Sequence, residues 1–575
     1  MNIIGIAGQV HDASAALVAD GRIVGAAAEE RFTRRKHVSL LDLGGIPARS
    51  IEFCLNRGAL RADDVTDVAY FMQPIPDFIY RLRLDVSRAN RSLPYAFKRF
   101  RLELRYLNGH LRTVRALKRH FPSANVHFVD HHTAHANSAY WCSQYQTAAA
   151  LTLDQKGEQS ATRLTHFASD GLQRVVLDIP FPHSIGFLYA SLTKYLGFTP
   201  NSDEFKVMGL ASYGKPNYRH FVEAMAPVTP DGSYRLNEEF ISPGWESHHL
   251  GPAAIRTLGK PRSRTDPVEQ RHADIAASLQ QVVEDRAVRL ARLLHERTGE
   301  RRLVMAGGVA LNCAMNSAVA ALGLFDEIFV QPAAGDEGTS LGAALFVASN
   351  SRPPARDFDH SYWGPEYADE DVKAALEACR LPHLKVTADD RAERVARLLS
   401  DGMVVALFDG RMEWGPRALG NRSILADPRA IEMKDRLNRK IKFRETFRPF
   451  APAVLEEDCA DYFDLPIEGP APYMLFLATV KREVRSRIPA VVHVDGTARV
   501  QTASRRTNRL LWEILTAFKA LTGIPVLVNT SFNLAGEPIV CSPSDAIRTF
   551  TRSEIDALSI GGFLVARNER LLRRL

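Results

Sequence analysis

The chain opens on three short apolar runs separated by polar turns. IIGIAG, SAALVA and RIVGAAAEE each have the length of a strand, and Asp20-Gly21 joins the last two as a tight hairpin in which glycine supplies the positive φ. The plan returns at residues 148–178 as AAALTLD, ATRLTHFAS, Asp170-Gly171 and LQRVVLD. Two copies of one three-stranded module predict a duplicated α/β domain of the actin-like, sugar-kinase-like kind, with phosphates held in turns between the halves. The alternative is two unrelated meanders.

Helical spacing marks further elements. Ile275, Leu279, Val282, Val283, Leu290 and Leu294 place one face of residues 273–298 in a core. Leu107, Leu111, Val114 and Leu117 predict an amphipathic helix at the end of the segment 81–120, where Lys and Arg far outnumber the two acids, Asp85 and Glu103. The expected role of that segment is a solvated face beside a dimer or domain contact, and docking of an anionic partner is the alternative. LVMAGGVALNCAMNS and GDEGTSLGAA each lead from a glycine turn into a helix, so backbone N–H groups at Gly307-Gly308 and at 335–344 are accessible to a nucleotide. After SRPPARDF the composition changes, which places a domain boundary within 350–365. Residues 1–355 form the first domain and 356–575 a second α/β unit, in which strands such as MVVALF and PVLVNTS alternate with helices and arginine-rich loops.

Composition narrows the classes. At 575 residues, 46% hydrophobic and 24% charged, the chain reads as globular. No apolar run approaches the ~20 residues that span a bilayer, so no membrane partner is expected. The N-terminus shows no basic leader, and six cysteines without a CxxC pair fit reduced thiols in the cytoplasm. A formal charge of +7 suits small anionic substrates at least as well as nucleic acid, which is not expected as a partner; a second copy of the chain is a candidate one.

Three histidines stand within DHHTAHAN. His131 and His135 are four residues apart, on one helical face, and two neutral imidazoles there supply half a metal's ligands. Asp336 in the GDEG turn is the best candidate for a completing carboxylate; polar caps or surface residues are the competing reading. His132 must point elsewhere. His11-Asp12 follows the first strand, where a histidine is placed to act as general base on a hydroxyl, or stands merely exposed beside a turn aspartate. In the second domain WGPRALGNRS gives Arg417 and Arg422, IKFRETFRPFAP gives Lys442, Arg444 and Arg448, and DGTARVQT gives Arg499. Guanidinium groups in such rigid loops suit a polyanionic ligand, and NTSFN at 529–533 adds hydroxyl and amide groups.

HDASAAL, EERFTRRKH, DHHTAHA, FKVMGLASYG, AGGVALNCAMN, DEGTSLGAA, GPRALGNRS, KFRETFRPFAP and NTSFNLAGEPIVCSP run in order from residue 11 to about 545. With these stretches the chain resembles the O-carbamoyltransferases of the nodulation and antibiotic-biosynthesis type. The resemblance implies a Kae-type N-terminal domain, similar to that of the tRNA threonylcarbamoyltransferase, fused to a YrdC-like domain. The YrdC-like domain would make carbamoyl-adenylate from carbamoyl phosphate and ATP, and the first would pass the carbamoyl group to a hydroxyl of a small metabolite of the antibiotic type. It further implies that His131, His135 and Asp336 hold a divalent metal, Fe2+ in preference, with Mg2+ able to accompany ATP. His11 and Asp12 fall at the catalytic base, Lys36 near the reacting group, and Asp154, Gly157, Gly307, Gly308 and Asn312 at the nucleotide. Arg417, Lys442, Arg448, Arg499, Ser531 and Asn533 fall at carbamoyl phosphate and ATP. Two positions depart from the pattern. Asp154-Gln155-Lys156-Gly157-Glu158 stands where Asp-Gly-x-Gly-Glu is usual, which restricts φ and adds a cation, and Val10 replaces an aromatic.

Carbamate and adenylate anhydrides do not survive in water, so an enclosed two-domain enzyme is the physically sensible host for such chemistry. tRNA threonylcarbamoyl transfer and a non-catalytic nucleotide-binding regulator are the rival expectations.

Overall fold

A computed structural model describes residues 1–87, 93–241 and 248–567; residues 88–92 of the basic segment lie outside it. The chain divides into two compact units, Met1–Thr33 with His37–Phe358, and Arg34–Lys36 with the chain from Asp359 onward.

The first unit holds two five-stranded sheets. One comprises β1 (Asn2–Ala7), β2 (Ser14–Ala19), β3 (Arg22–Ala28), β4 (Asp67–Tyr70) and β5 (Asn125–Phe128) in the order β3-β2-β1-β4-β5. The other comprises β6 (Ala148–Leu153), β7 (Ser160–Phe167), β8 (Gln173–Pro180), β9 (Arg302–Ala306) and β10 (Glu327–Val330) in the order β10-β9-β6-β7-β8. The orders are the same when β6 is matched to β1. Each first strand pairs antiparallel with the second strand and parallel with the fourth, with Ile3 opposite Val18 and Asp67, and Ala149 opposite His166 and Leu303. The repeat seen in the sequence is therefore a repeat of sheet topology. His11 and Asp12 occupy the turn between the first two strands of one sheet, and Asp154 begins the corresponding turn of the other.

The helices His131–Tyr140 and Glu337–Ser349 pack closely. A Cβ on Gly342 would fall 1.8 Å from the carbonyl oxygen of Ala134, so only glycine allows the two backbones to meet there. The hydroxyl of Ser14 donates to the carbonyl of Glu337, tying the start of β2 to the same helix.

One element differs from the periodic reading. The helix Leu93–His120 forms, yet of Leu107, Leu111, Val114 and Leu117 only Leu117 is fully buried. Glu103, His110 and Thr113 share the inner face, because polar groups meet it there: Arg81 and Arg99 at Glu103, the Tyr70 hydroxyl at His110 and Gln9 at Thr113.

The second unit is built on an eight-stranded mixed sheet. Its centre runs Ala557–Ile560, Val405–Phe408, Arg422–Ala426, Val526–Ser531 and Ala451–Leu455, next to a three-stranded sheet of Phe463–Asp464, Leu477–Val480 and Thr497–Arg499. Both units are mixed α/β.

Candidate active site

Local chemistry fixes where the histidine helix begins. Asp130 is its N-cap, accepting a hydrogen bond from the backbone N–H of Thr133 at 2.9 Å, and Glu158 accepts from the N–H of His131. Both satisfy donors that a helix start leaves open. His131 and His135 then project one turn apart. Their Nε2 atoms lie 3.1 Å from one another and 3.3 and 2.8 Å from Oδ2 of Asp154, with Oδ1 of Asp336 at 3.7 and 3.8 Å. All four ligand atoms lie within 4.8 Å of one another.

Two imidazole nitrogens and two carboxylate oxygens form a donor set that suits a divalent transition metal. Both imidazoles are buried, and among the described residues neither Nδ1 has a hydrogen-bond partner, so packing and what their Nε2 atoms face fix the rings. Burial works against charge on His135, but the hydrogen bond to Asp154 and the nearby carboxylate of Asp336 raise it to about 9. Asp154 is held well below the carboxylate range, with the two histidines outweighing the cost of its burial. His132 points away, as its position requires. Its Nδ1 meets the hydroxyl of Thr152 and its Nε2 the carbonyl of Ser160, and burial beside His131 and Arg163 pushes it well below the usual imidazole value.

His11 stands at the edge of this cluster. Its Nε2 is 3.9 Å from Oδ2 of Asp336 and its Nδ1 3.0 Å from Oδ2 of Asp12. Asp12 is shared, because its Oδ1 lies 2.8 Å from Nδ1 of His37. Asp12 and His37 both adopt left-handed backbone, with φ of 55° and 53°, a strained conformation for non-glycine residues that is common at functional sites. Burial disfavours charge on His11, yet the carboxylates of Asp336, Asp12 and Asp154 raise it to about 10.

The residues expected at the nucleotide are spread differently. Asp154 faces the histidines. A Cβ on Gly157 would fall 2.9 Å from the His132 ring. Gly307 has a φ of +93°, and a Cβ there would strike the carbonyl oxygen of Leu153 at 2.1 Å, so tight packing on the end of β6 already requires this glycine. Gly308 lies next to Asp154, with its Cβ position 3.5 Å from Oδ1. The Asn312 side chain caps the helix Cys313–Ala320 and pairs with Gln280.

In the second unit the amine of Lys442 donates to Oγ of Ser531 at 3.2 Å and to the carbonyl and side-chain oxygens of Asn533 at 3.0 and 2.8 Å. Burial pushes Lys442 well below the usual amine range, and the charges of Arg444, Arg448 and Lys36 add to this. Arg444 is pushed down in the same way by burial, Arg448 and Arg499, with Glu445 opposing. Lys36, expected near the reacting group, belongs to the second unit and adds to its cationic cluster. Arg444 also belongs to this cluster. Arg417 is half-buried in a loop organised by Glu413, whose carboxylate accepts the backbone N–H groups of Leu419, Asn421 and Arg422. Arg422 is committed to protein partners. It is fully buried, lies 3.8 Å over the Phe408 ring and donates to the carbonyls of Asp409 and Gly410.

The description "Carbamoyltransferase N-terminus" matches residues 2–345, and "Carbamoyltransferase C-terminus" matches residues 396–567. An uncharacterised Synechocystis protein is 39% identical over 98% of this chain and 97% of its own length. The nodulation protein NolNO of Sinorhizobium fredii is 39% identical over 97% of this chain and 79% of its own length. NolO of Bradyrhizobium diazoefficiens is 41% identical over 77% and 80%. The chain belongs to the carbamoyltransferase family, and it is an enzyme that transfers carbamoyl groups.

Proposed function

We propose that the chain is an ATP-dependent O-carbamoyltransferase with two half-reactions, one in each unit. The observation that carries this reading is the contrast between the two clusters. One gathers two histidines and two carboxylates beside a clamped imidazole, and the other gathers Lys36, Lys442, Arg444, Arg448 and Arg499 with Glu445 as the opposing acid.

The second unit, proposed to be YrdC-like, suits polyanions. Like charges held together out of water cost free energy, and a bound phosphate ester relieves that cost. Here carbamoyl phosphate loses its phosphate to water, and the resulting carbamate oxygen attacks the α-phosphorus of ATP. Carbamoyl-adenylate forms and pyrophosphate leaves. Lys442 holds Ser531 and Asn533 in place, and Arg444, Arg448 and Arg499 carry the phosphate oxygens.

The first unit, proposed to be Kae-like, suits the transfer. His131, His135, Asp154 and Asp336 would hold a divalent cation, with Fe2+ the ion that the family resemblance favours. When bound, that ion supplies a Lewis acid that neutralises phosphate charge and offsets the carboxylate field that keeps His11 protonated. Asp12 accepts from Nδ1–H of His11, which leaves Nε2 to take the proton of the acceptor hydroxyl. The acceptor oxygen attacks the carbamoyl carbon, its bond to the adenylate oxygen breaks, and AMP departs. The acceptor proposed is a small hydroxylated metabolite. Incubation with ATP, labelled carbamoyl phosphate and a panel of natural-product alcohols tests this. Carbamate-ester product together with pyrophosphate is expected, and pyrophosphate-independent transfer would overturn the reading.

A further inference from the structure

The helices Pro74–Ser87 and Leu93–His120 are amphipathic with the polarity reversed. Along the first helix and the first half of the second, the inner faces are ionic. Asp77 pairs with Arg81, Asp85 and Glu103 both pair with Arg99, and Lys156 of the turn after β6 approaches Asp77 at 3.9 Å. All of these except Lys156 are nearly or fully buried, and they include every acid in residues 74–120. The outer faces carry Ile75, Ile79 and Val86 on the first helix and Phe97, Phe100 and Leu104 on the second. Ile75, Ile79 and Val86 are 62%, 43% and 66% exposed, and Phe97 is 65% exposed. Their spacings of three, four and seven residues align each set on one side of its helix. Every exposed charged residue described on the two helices is a Lys or Arg, with Arg83, Lys98, Arg101 and Arg105 flanking the apolar stripe.

A helix that spends its buried face on ion pairs and leaves its aliphatic face outward needs a cover for that face. The cover must also accept cations. A second copy would bring the same positive charges against this surface and be repelled. Nucleic acid offers phosphates but nothing for Ile75, Ile79 or Val86 to enter. An anionic bilayer surface offers both, with phosphates at headgroup level and acyl chains just below. We propose that the outer face of this helical pair docks on an anionic lipid surface. Hydropathy along the chain gives no such indication, since no described helix is long and apolar enough to cross a membrane. The binding is peripheral, and the signal lies in which face each residue occupies. Lys156, the added cation of the turn that begins with Asp154, ties the docking pair to the candidate active site.

Sedimentation of the full chain with vesicles tests the proposal. Vesicles of equal parts phosphatidylcholine and phosphatidylglycerol should carry the protein down, and pure phosphatidylcholine should not. The double variant Ile79→Ser, Phe97→Ser should lower partitioning about tenfold or more by removing apolar anchors. Arg101→Glu with Arg105→Glu should lower it by a similar factor and make the remainder insensitive to salt. Both variants keep the buried ion pairs, so they should fold and retain carbamoyl transfer from soluble substrates. Equal sedimentation with both vesicle types would overturn the proposal, as would full binding by the serine variant, which would mark the face as merely cationic. A wild-type dimer in light scattering that the serine variant converts to monomer would also overturn it, in favour of a contact between copies.

Discussion

Oδ2 of Asp154 lies 2.8 Å from Nε2 of His135, joining the turn after β6 to the helix that begins at His131. This contact makes Asp154 a ligand candidate equal to Asp336. Asp154→Asn should therefore lower metal affinity at least about 100-fold, beyond the loss typical of outer-sphere partners. His132→Ala should leave metal content near wild type, because its ring faces Thr152 and Ser160. Elemental analysis after dialysis reads both outcomes.

The Asp12 carboxylate is clamped between His11 and His37. If it fixes the tautomer that leaves Nε2 of His11 free, Asp12→Asn should slow transfer by about 10²–10⁴-fold with little change in KM for the acceptor. His37→Ala should cost less, and His37→Gln, which can still donate to Asp12, should recover part of the loss. Single-turnover transfer from supplied carbamoyl-adenylate measures these rates without the first half-reaction.

Burial and like charge work against protonation of Lys442 and Arg444, and a phosphate bound there as proposed would offset that cost. Carbamoyl phosphate at a hundred times its Kd should stabilise the wild-type protein by about 2.7 kcal/mol. Arg448→Met should lose most of that gain while its ligand-free Tm stays at or above wild type, since one repelling charge is gone. Thermal unfolding with and without ligand decides it. A large fall in the ligand-free Tm would make Arg448 a structural residue.

His110 supplies a pH signature away from both clusters. Burial lowers it from 6.5 to about 4, with Arg81 and Lys156 adding to the effect and Asp77 opposing it. The unfolded chain then binds a proton that the folded state refuses. Stability from this group is complete above pH 6.5 and is lost as pH falls toward 4, at up to about 1.4 kcal/mol per pH unit. Chemical denaturation across that window should show a shallower slope in His110→Gln than in wild type.

Much of this arrangement is legible in the sequence, and the exceptions have physical causes. Strand duplication is visible because turn glycines and apolar runs are local signals. His131 and His135 are visible because a four-residue spacing defines a helical face. Asp154 as their partner is not, because its contact crosses from a strand end to a helix and leaves no spacing to read. Arg422 and Arg444 are both arginines in loop-rich segments, each stacked on a ring, Phe408 and Phe450; what separates them is that Arg444 has Arg448 and Arg499 beside it, which no local pattern reveals. Leu107, Leu111 and Val114 suggest a buried face that the helix turns largely aside, because Glu103 has charged partners inside.

The division into two half-reactions is the central claim, and one rescue experiment tests it most directly. Arg448→Ala should release no pyrophosphate from ATP and carbamoyl phosphate. Supplied with preformed carbamoyl-adenylate and acceptor, it should transfer at the wild-type rate, because the residues around His11 are untouched. His11→Ala should do the reverse, releasing pyrophosphate while transfer falls about 10²–10⁴-fold. A folded Arg448→Ala protein that fails to use supplied carbamoyl-adenylate would contradict the account and place both steps in a single shared site.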